Sequence, residues 1–142
     1  MSIKGMVAGA AIAGALVGHA GVAIAGDNTM AEKFLADRIA AFGRGDLDKL
    51  VAQYGDGAVV ITPMGTLTDR ASIRSMMEGV VAEFAQPGVK FEMLSQAAIG
   101  EVVTFAWRAE TARNVYDLGA ETYVVRDGLV TYQTLALKAQ PK

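Results

Sequence analysis

GEVVTFAWRAETARNVYDLGAETYVVRDGLVTYQTLAL, Gly100 to Leu137, reads as three antiparallel strands. Val102 to Ala112, Ala120 to Arg126 and Leu129 to Leu137 are rich in β-branched and aromatic residues, the types that suit a pleated surface. Asp127-Gly128 sits between the last two runs. Asp-Gly in that place signals a two-residue hairpin turn, because a type I′ turn needs positive φ at both central residues. Counting outward from it sets Val125 against Val130, Tyr123 against Tyr132 and Glu121 against Thr134. Strand periodicity then gathers Glu121, Tyr123, Val125, Val130, Tyr132 and Thr134 on one face. For the preceding hairpin a loop over Arg113 to Leu118 sets Trp107 against Val125, Ala109 against Tyr123 and Thr111 against Glu121. A slip of one residue would oppose Glu110 to Glu121, and like charges directly opposite are destabilising. Phe105 joins the same face.

One carboxylate, Glu121, thus falls among Phe105, Trp107, Tyr123, Val125 and Tyr132. Burying it is costly unless it is paired. Either it serves a site, or it reaches water or an arginine at the end of the sheet.

The chain has 142 residues, 52% of them hydrophobic, with a net charge of −2. That fits one globular domain and lacks the basic excess of a nucleic-acid binder. There is no cysteine, and the one histidine, His19, lies near the N-terminus. No disulfide framework, thiolate chemistry or cofactor is expected, nor a zinc or copper site.

Met1 to Ala25 reads as a cleavable secretory leader. Lys4 gives a positive start, Met6 to Val22 is uncharged and apolar, and Ala23-Ile24-Ala25 is a cleavage motif. The expected cut before Gly26 leaves 26–142 as the folded domain, in the periplasm or secreted, with no membrane association after cleavage. Retention as an anchor is the alternative, since the apolar run approaches the length of a spanning helix.

Thr29 to Glu32 reads as a capping box opening a helix that Gly43 ends, with Phe34, Leu35, Ile39 and Phe42 as its apolar stripe. Asp46 caps a short second helix. Tyr54 to Gly57 reads as a turn, Ala58 to Thr62 as a strand, and Pro63-Met64-Gly65 as its close. Asp69 caps a third helix, about Arg70 to Phe84, and Val89 to Ile99 alternates as a half-buried strand. Helices followed by a meander of strands indicate α+β. Three helices cover one face. The other, carrying Val124, Thr122, Leu129, Thr131, Gln133, Leu135 and Leu137, is expected to pair a second copy as a homodimer, unless these are scattered surface apolars.

Four stretches, GDLDKLVAQYGDGAVVITPMG from Gly45, DRASIRSMM from Asp69, FAWRAET from Phe105 and GAETYVVRDGLVTYQT from Gly119, resemble the SnoaL-like branch of the nuclear transport factor 2-like superfamily. The resemblance implies a cone-shaped cystatin-like fold, a curved, mainly antiparallel sheet wrapped around three N-terminal helices. Relatives include polyketide cyclases, ketosteroid isomerases and limonene epoxide hydrolases, and others that only bind. Glu121 stands where SnoaL-like cyclases carry an acid–base Asp, one methylene longer here. Several relatives place a histidine in the pocket, absent after residue 25, and Asp69 replaces a glycine common at the helix entry.

Two readings of function follow. In the first, Glu121 is the base in an isomerase, cyclase or dehydratase acting on a small apolar molecule. Tyr123 and Tyr132 share the catalytic role as oxyanion donors, while Tyr54, Met64, Met77, Phe105 and Trp107 touch the ligand. In the second, the same pocket binds without chemistry, or is plugged by its own side chains in a dimerisation module. Each tyrosine, Met77 and Trp107 also has an ordinary role as a core residue.

Overall fold

The computed structural model describes residues 28–142. The leader read over Met1 to Ala25 and the cut before Gly26 lie outside the described residues. Three helices, α1 (Thr29–Gly43), α2 (Leu47–Ala52) and α3 (Arg70–Phe84), pack on one face of a six-stranded sheet. The strands are β1 (Tyr54–Thr62), β2 (Gly65–Leu67), β3 (Lys90–Ile99), β4 (Val102–Glu110), β5 (Asn114–Arg126) and β6 (Leu129–Pro141). Their order is β2-β1-β6-β5-β4-β3. All neighbours are antiparallel except β1 and β6. This is the α+β cone expected from the sequence, with β3 to β6 in meander order.

The helix starts follow from side-chain chemistry. Asp46 accepts from the Lys49 amide and Asp69 from the Ser72 amide, filling donors a helix leaves open in its first turn. At α1 the cap is Asn28 rather than Thr29, and it makes no side-chain capping bond. Its Oδ1 instead accepts from the Gly100 amide at 2.7 Å, tying the helix start to the β3–β4 turn.

Four further expectations are corrected. Tyr54 to Gly57 is the start of β1, not a turn. β2, a three-residue strand returning along β1, was not foreseen. The β4–β5 loop is Thr111 to Arg113, so Trp107 faces Gly119, Phe105 faces Glu121 and Val103 faces Tyr123. The Thr111 hydroxyl accepts from the Arg113 and Asn114 amides, closing a shorter turn than expected and freeing Asn114 to Leu118 to pair with β6. Because the displacement is an even number of residues, Phe105, Trp107, Glu121 and Tyr123 keep their common inner face.

The fourth correction changes a face. Asp127 and Gly128 have φ of 52° and 77°, as the turn requires, and Val125 faces Val130. The next pair is Val124 with Tyr132, and Tyr123 meets Gln133. Thr131 is therefore an extra residue, a β-bulge, and its hydroxyl donates to the Val124 carbonyl at 3.1 Å. Beyond it every side chain of β6 points the opposite way from a simple count. Gln133 turns inward, buried to 2% exposure, while Tyr132 turns out and is 51% exposed. Leu135 and Leu137 also face the helices, where they line the cavity, rather than the outer surface expected for all three.

Candidate functional site

The helices and the inner sheet face enclose a cavity of about 2010 Å³. It exceeds the roughly 300–1,000 Å³ of a typical small-molecule pocket because its rim is open: Met64, at the tip of the β1–β2 hairpin, lines it yet is 87% exposed. Its walls are Leu35, Ile39 and Phe42 from α1, Met76 and Met77 from α3, and Phe91, Phe105 and Trp107 from the sheet. Edge-to-face contacts, Phe42 to Phe84 at 5.5 Å and Phe84 to Trp107 at 5.7 Å, join the layers.

The polar part of the wall is built around Arg38. On α1 the buried residues are Ala31, Phe34, Leu35, Arg38 and Ala41, so helical spacing carries the guanidinium inward with the apolar stripe. At 5% exposure it makes up for lost water with hydrogen bonds. Nε donates to the Tyr123 hydroxyl at 3.0 Å, Nη1 to Gln53 Oε1 at 3.0 Å and Nη2 to the Tyr54 hydroxyl at 2.9 Å. Its carbon also lies 5.2 Å and 4.8 Å from the Tyr54 and Tyr123 ring centroids, within cation–π range. Burial works against the charge, but Tyr123, Tyr54 and Glu121 outweigh it and hold the guanidinium above its ordinary pKa.

Three donors converge on Glu121. Trp107 Nε1 lies 3.0 Å from Oε1; Gln133 Nε2 lies 3.1 Å from Oε2, which the Tyr123 hydroxyl also meets. A carboxylate offers about four lone-pair positions, so these three leave one for a ligand or water. Glu121 lines the cavity and is half-buried. No direct ion pair joins it to Arg38; the Tyr123 hydroxyl stands between them, accepting from one and donating to the other. Burial pushes that hydroxyl well above the usual phenol range, Arg38 opposing and Glu121 adding to the rise. Tyr123 therefore stays protonated and keeps donating.

Of the residues singled out from sequence, Glu121, Tyr123, Met64, Met77, Phe105 and Trp107 line the cavity. Two assignments are corrected. Tyr132 lies on the outer face, turned there by the bulge at Thr131. Tyr54 does not line the cavity; its hydroxyl is enclosed between Arg38 and Gln133 Oε1, to which it donates at 2.5 Å. Nor is the Tyr123 hydroxyl free to donate to an oxyanion, since it donates to Glu121. Three residues were missed: Arg38, whose position among the apolar residues of α1 was the available signal; Gln133, hidden by the bulge; and Gln53, which carried no signal. A second carboxylate, Glu83 of α3, also lines the cavity. It accepts from Thr111 at 2.7 Å, Asn114 at 2.8 Å and Tyr116 at 2.9 Å, fastening the helix to the β4–β5 loop.

The SnoaL-like domain model matches residues 35–133. No curated protein sequence matches the chain. Among solved structures, SalBIII, an epoxide hydrolase/cyclase-like enzyme of pyran ring formation in the polyether salinomycin, superposes with a TM-score of 0.67 at 16% identity, over 82% of this chain and 98% of that one. An LEH-like epoxide hydrolase of M. tuberculosis gives 0.59 at 16% identity, over 78% and 84%. A SnoaL-like protein of unknown function from Burkholderia thailandensis gives 0.61 at 21%, over 77% and 95%. At such identities the likeness is one of fold. The family model spans well over half the chain, and the protein belongs to the SnoaL-like domain family.

Proposed function

We propose that the cavity catalyses proton transfer on a small, mostly apolar molecule, as an isomerase, cyclase or dehydratase does, with Glu121 as the base. The observation that carries this is the Glu121 carboxylate on a mostly apolar cavity wall, oriented by Trp107, Tyr123 and Gln133 and retaining one open lone-pair position. In the step proposed, a C–H or O–H bond of the ligand breaks, the proton passes to Glu121, and the electron pair stays on the ligand. Tyr123 and Arg38 hold the carboxylate in place through the exchange. Two of the structural neighbours are an LEH-like epoxide hydrolase and an epoxide hydrolase/cyclase-like enzyme of pyran ring formation, which is compatible with this class of substrate.

The test is turnover of an enolisable steroid ketone, and of a small apolar hydroxy-epoxide whose own O–H can close the ring, by the wild type and by Glu121→Gln. The expected result is retained fold and ligand binding, with turnover reduced by about 10²–10⁴-fold. Equal turnover in the variant removes the assignment.

Binding without chemistry is favoured by one observation. The Tyr54 and Tyr123 protons are committed to Gln133 and Glu121, so neither is aimed at a developing oxyanion. Ligand binding by wild type with no turnover of any candidate would select that reading. The protein is further proposed to act outside the cytoplasm after loss of residues 1–25, and as a homodimer through the outer sheet face, where Ile61, Val102 and Tyr132 are exposed.

A further inference from the structure

Trp107 lies directly across from Gly119 in the β4–β5 ladder. In such a pair the opposite side chain normally stands about 5 Å away, Cβ to Cβ, and keeps its neighbour upright. Gly119 has none, and the indole lies down over its bare Cα. A Cβ placed there would sit 2.2 Å from Cε2, 2.3 Å from Cζ2 and 2.7 Å from Cδ2 of Trp107, distances no side chain tolerates. Three aromatic rings pack around it. Phe91 stacks on it at 5.6 Å, Phe84 meets it edge-on at 5.7 Å and Tyr116 packs at 5.5 Å. Lowered in this way, Nε1 reaches Glu121 Oε1 at 3.0 Å, two residues along β5 from the glycine that admits it.

We infer that Gly119 is a positioning residue of the site: the absence of its side chain seats Trp107, and Trp107 in turn fixes the Glu121 carboxylate. The backbone does not require glycine here, since Gly119 is not among the residues with positive φ. Alanine fits the backbone, and the three atoms nearest its Cβ all belong to the indole. To relieve that contact the ring must move by about 1 Å, and with Phe91 and Phe84 behind it the movement is along the strand or away from the sheet. A hydrogen bond of ordinary length does not survive a displacement of that size. This role rests on the reading of Glu121 as the working group only for its consequence in turnover; the geometric claim stands apart from it.

Trp107 is the only tryptophan in the sequence, so its indole N–H gives one cross-peak in a ¹⁵N correlation spectrum. In Gly119→Ala that peak is expected to move toward the position of a free indole and to exchange with solvent at least about tenfold faster. Glu121→Gln should move the same peak, and the exposed Tyr132→Phe should not. A folded Gly119→Ala protein with the wild-type peak and exchange rate overturns the inference, whatever its turnover. Should Gly119→Ala not fold, Trp107→Val and Trp107→Val/Gly119→Ala carry the test. With the indole removed, the alanine is expected to leave the urea midpoint of Trp107→Val unchanged, and a further large loss overturns the claim. Loss of turnover in Glu121→Gln alongside an unmoved indole peak in Gly119→Ala would separate failure of this inference from failure of the functional one.

Discussion

Replacing Tyr123 by phenylalanine removes one oxygen from the middle of the polar network and little else. The ring contacts to Phe34 at 5.4 Å and Phe105 at 5.7 Å and the cation–π contact to Arg38 are available to phenylalanine too. What goes is a hydroxyl that accepts from Arg38 Nε and from Gln133 Nε2 and donates to Glu121. The partners fare differently. Gln133 Nε2 keeps Glu121 Oε2, and Glu121 keeps Gln133 and Trp107. Arg38 Nε is left with no other hydrogen bond, on a charged group only 5% exposed. A buried donor without its partner costs about 1–3 kcal/mol, more when charged, so Tyr123→Phe is expected to lose about 2–3 kcal/mol. For a domain of this size that is a fall in Tm of roughly 8–12 °C. Urea unfolding followed by circular dichroism checks it: the midpoint should fall while the slope m stays constant. Tyr132→Phe, on the exposed outer face, is the control, expected within about 0.5 kcal/mol of wild type. A Tyr123→Phe protein as stable as that control would refute the idea that this hydroxyl couples the two charges.

Leu50 is fully buried, and Leu50→Ala should cost about 2–5 kcal/mol by urea unfolding; a loss below 1 kcal/mol would show that α2 does not close the core as described. Glu83 accepts three hydrogen bonds, and although burial raises its carboxyl, these bonds hold it below the usual 4.5. With a depressed pKa in the folded state, its contribution is present above the unfolded value and lost as pH falls through the folded one. Glu83→Gln should therefore flatten the decline of stability on acidification, and an unchanged acid limb argues against the clamp. Tyr116 has the opposite sign: burial first, then Glu83, push its hydroxyl up to about 12. Its contribution is present below pH 10 and lost as pH rises through 12, so Tyr116→Phe should soften the alkaline limb of the thermal unfolding profile. For the proposed dimer, Tyr132→Glu should shift sedimentation toward the monomer at micromolar concentration, and an unaltered distribution would move the interface elsewhere.

The fold was legible because its punctuation is chemical. Asp46 and Asp69 cap the helices they were expected to cap, and Asp127-Gly128 turns the hairpin it was expected to turn. Glu121 was legible as a carboxylate on the inner face because its place on an aromatic strand face conflicts with burial, and it lines the cavity. What escaped was what periodicity alone cannot carry. One extra residue at Thr131 reverses the faces of β6 and exchanged Tyr132 for Gln133. Arg38 reads as a surface cation until its place among Phe34, Leu35 and Ala41 is counted. The β4–β5 loop comes earlier than the local sequence indicates because Asn114 and Tyr116 find partners on Glu83, far away in sequence, where no local signal points.

The proposed function stands or falls on whether the Glu121 carboxylate moves protons. Hydrogen–deuterium exchange at the acidic carbon of a bound steroid ketone in D₂O, read by mass spectrometry, measures that without any product having to be guessed. Wild type should accelerate the exchange, and Glu121→Gln should lose about 10²–10⁴-fold of the acceleration while still binding the ketone. Equal exchange in the two proteins, or tight binding by wild type with no exchange at all, would contradict it.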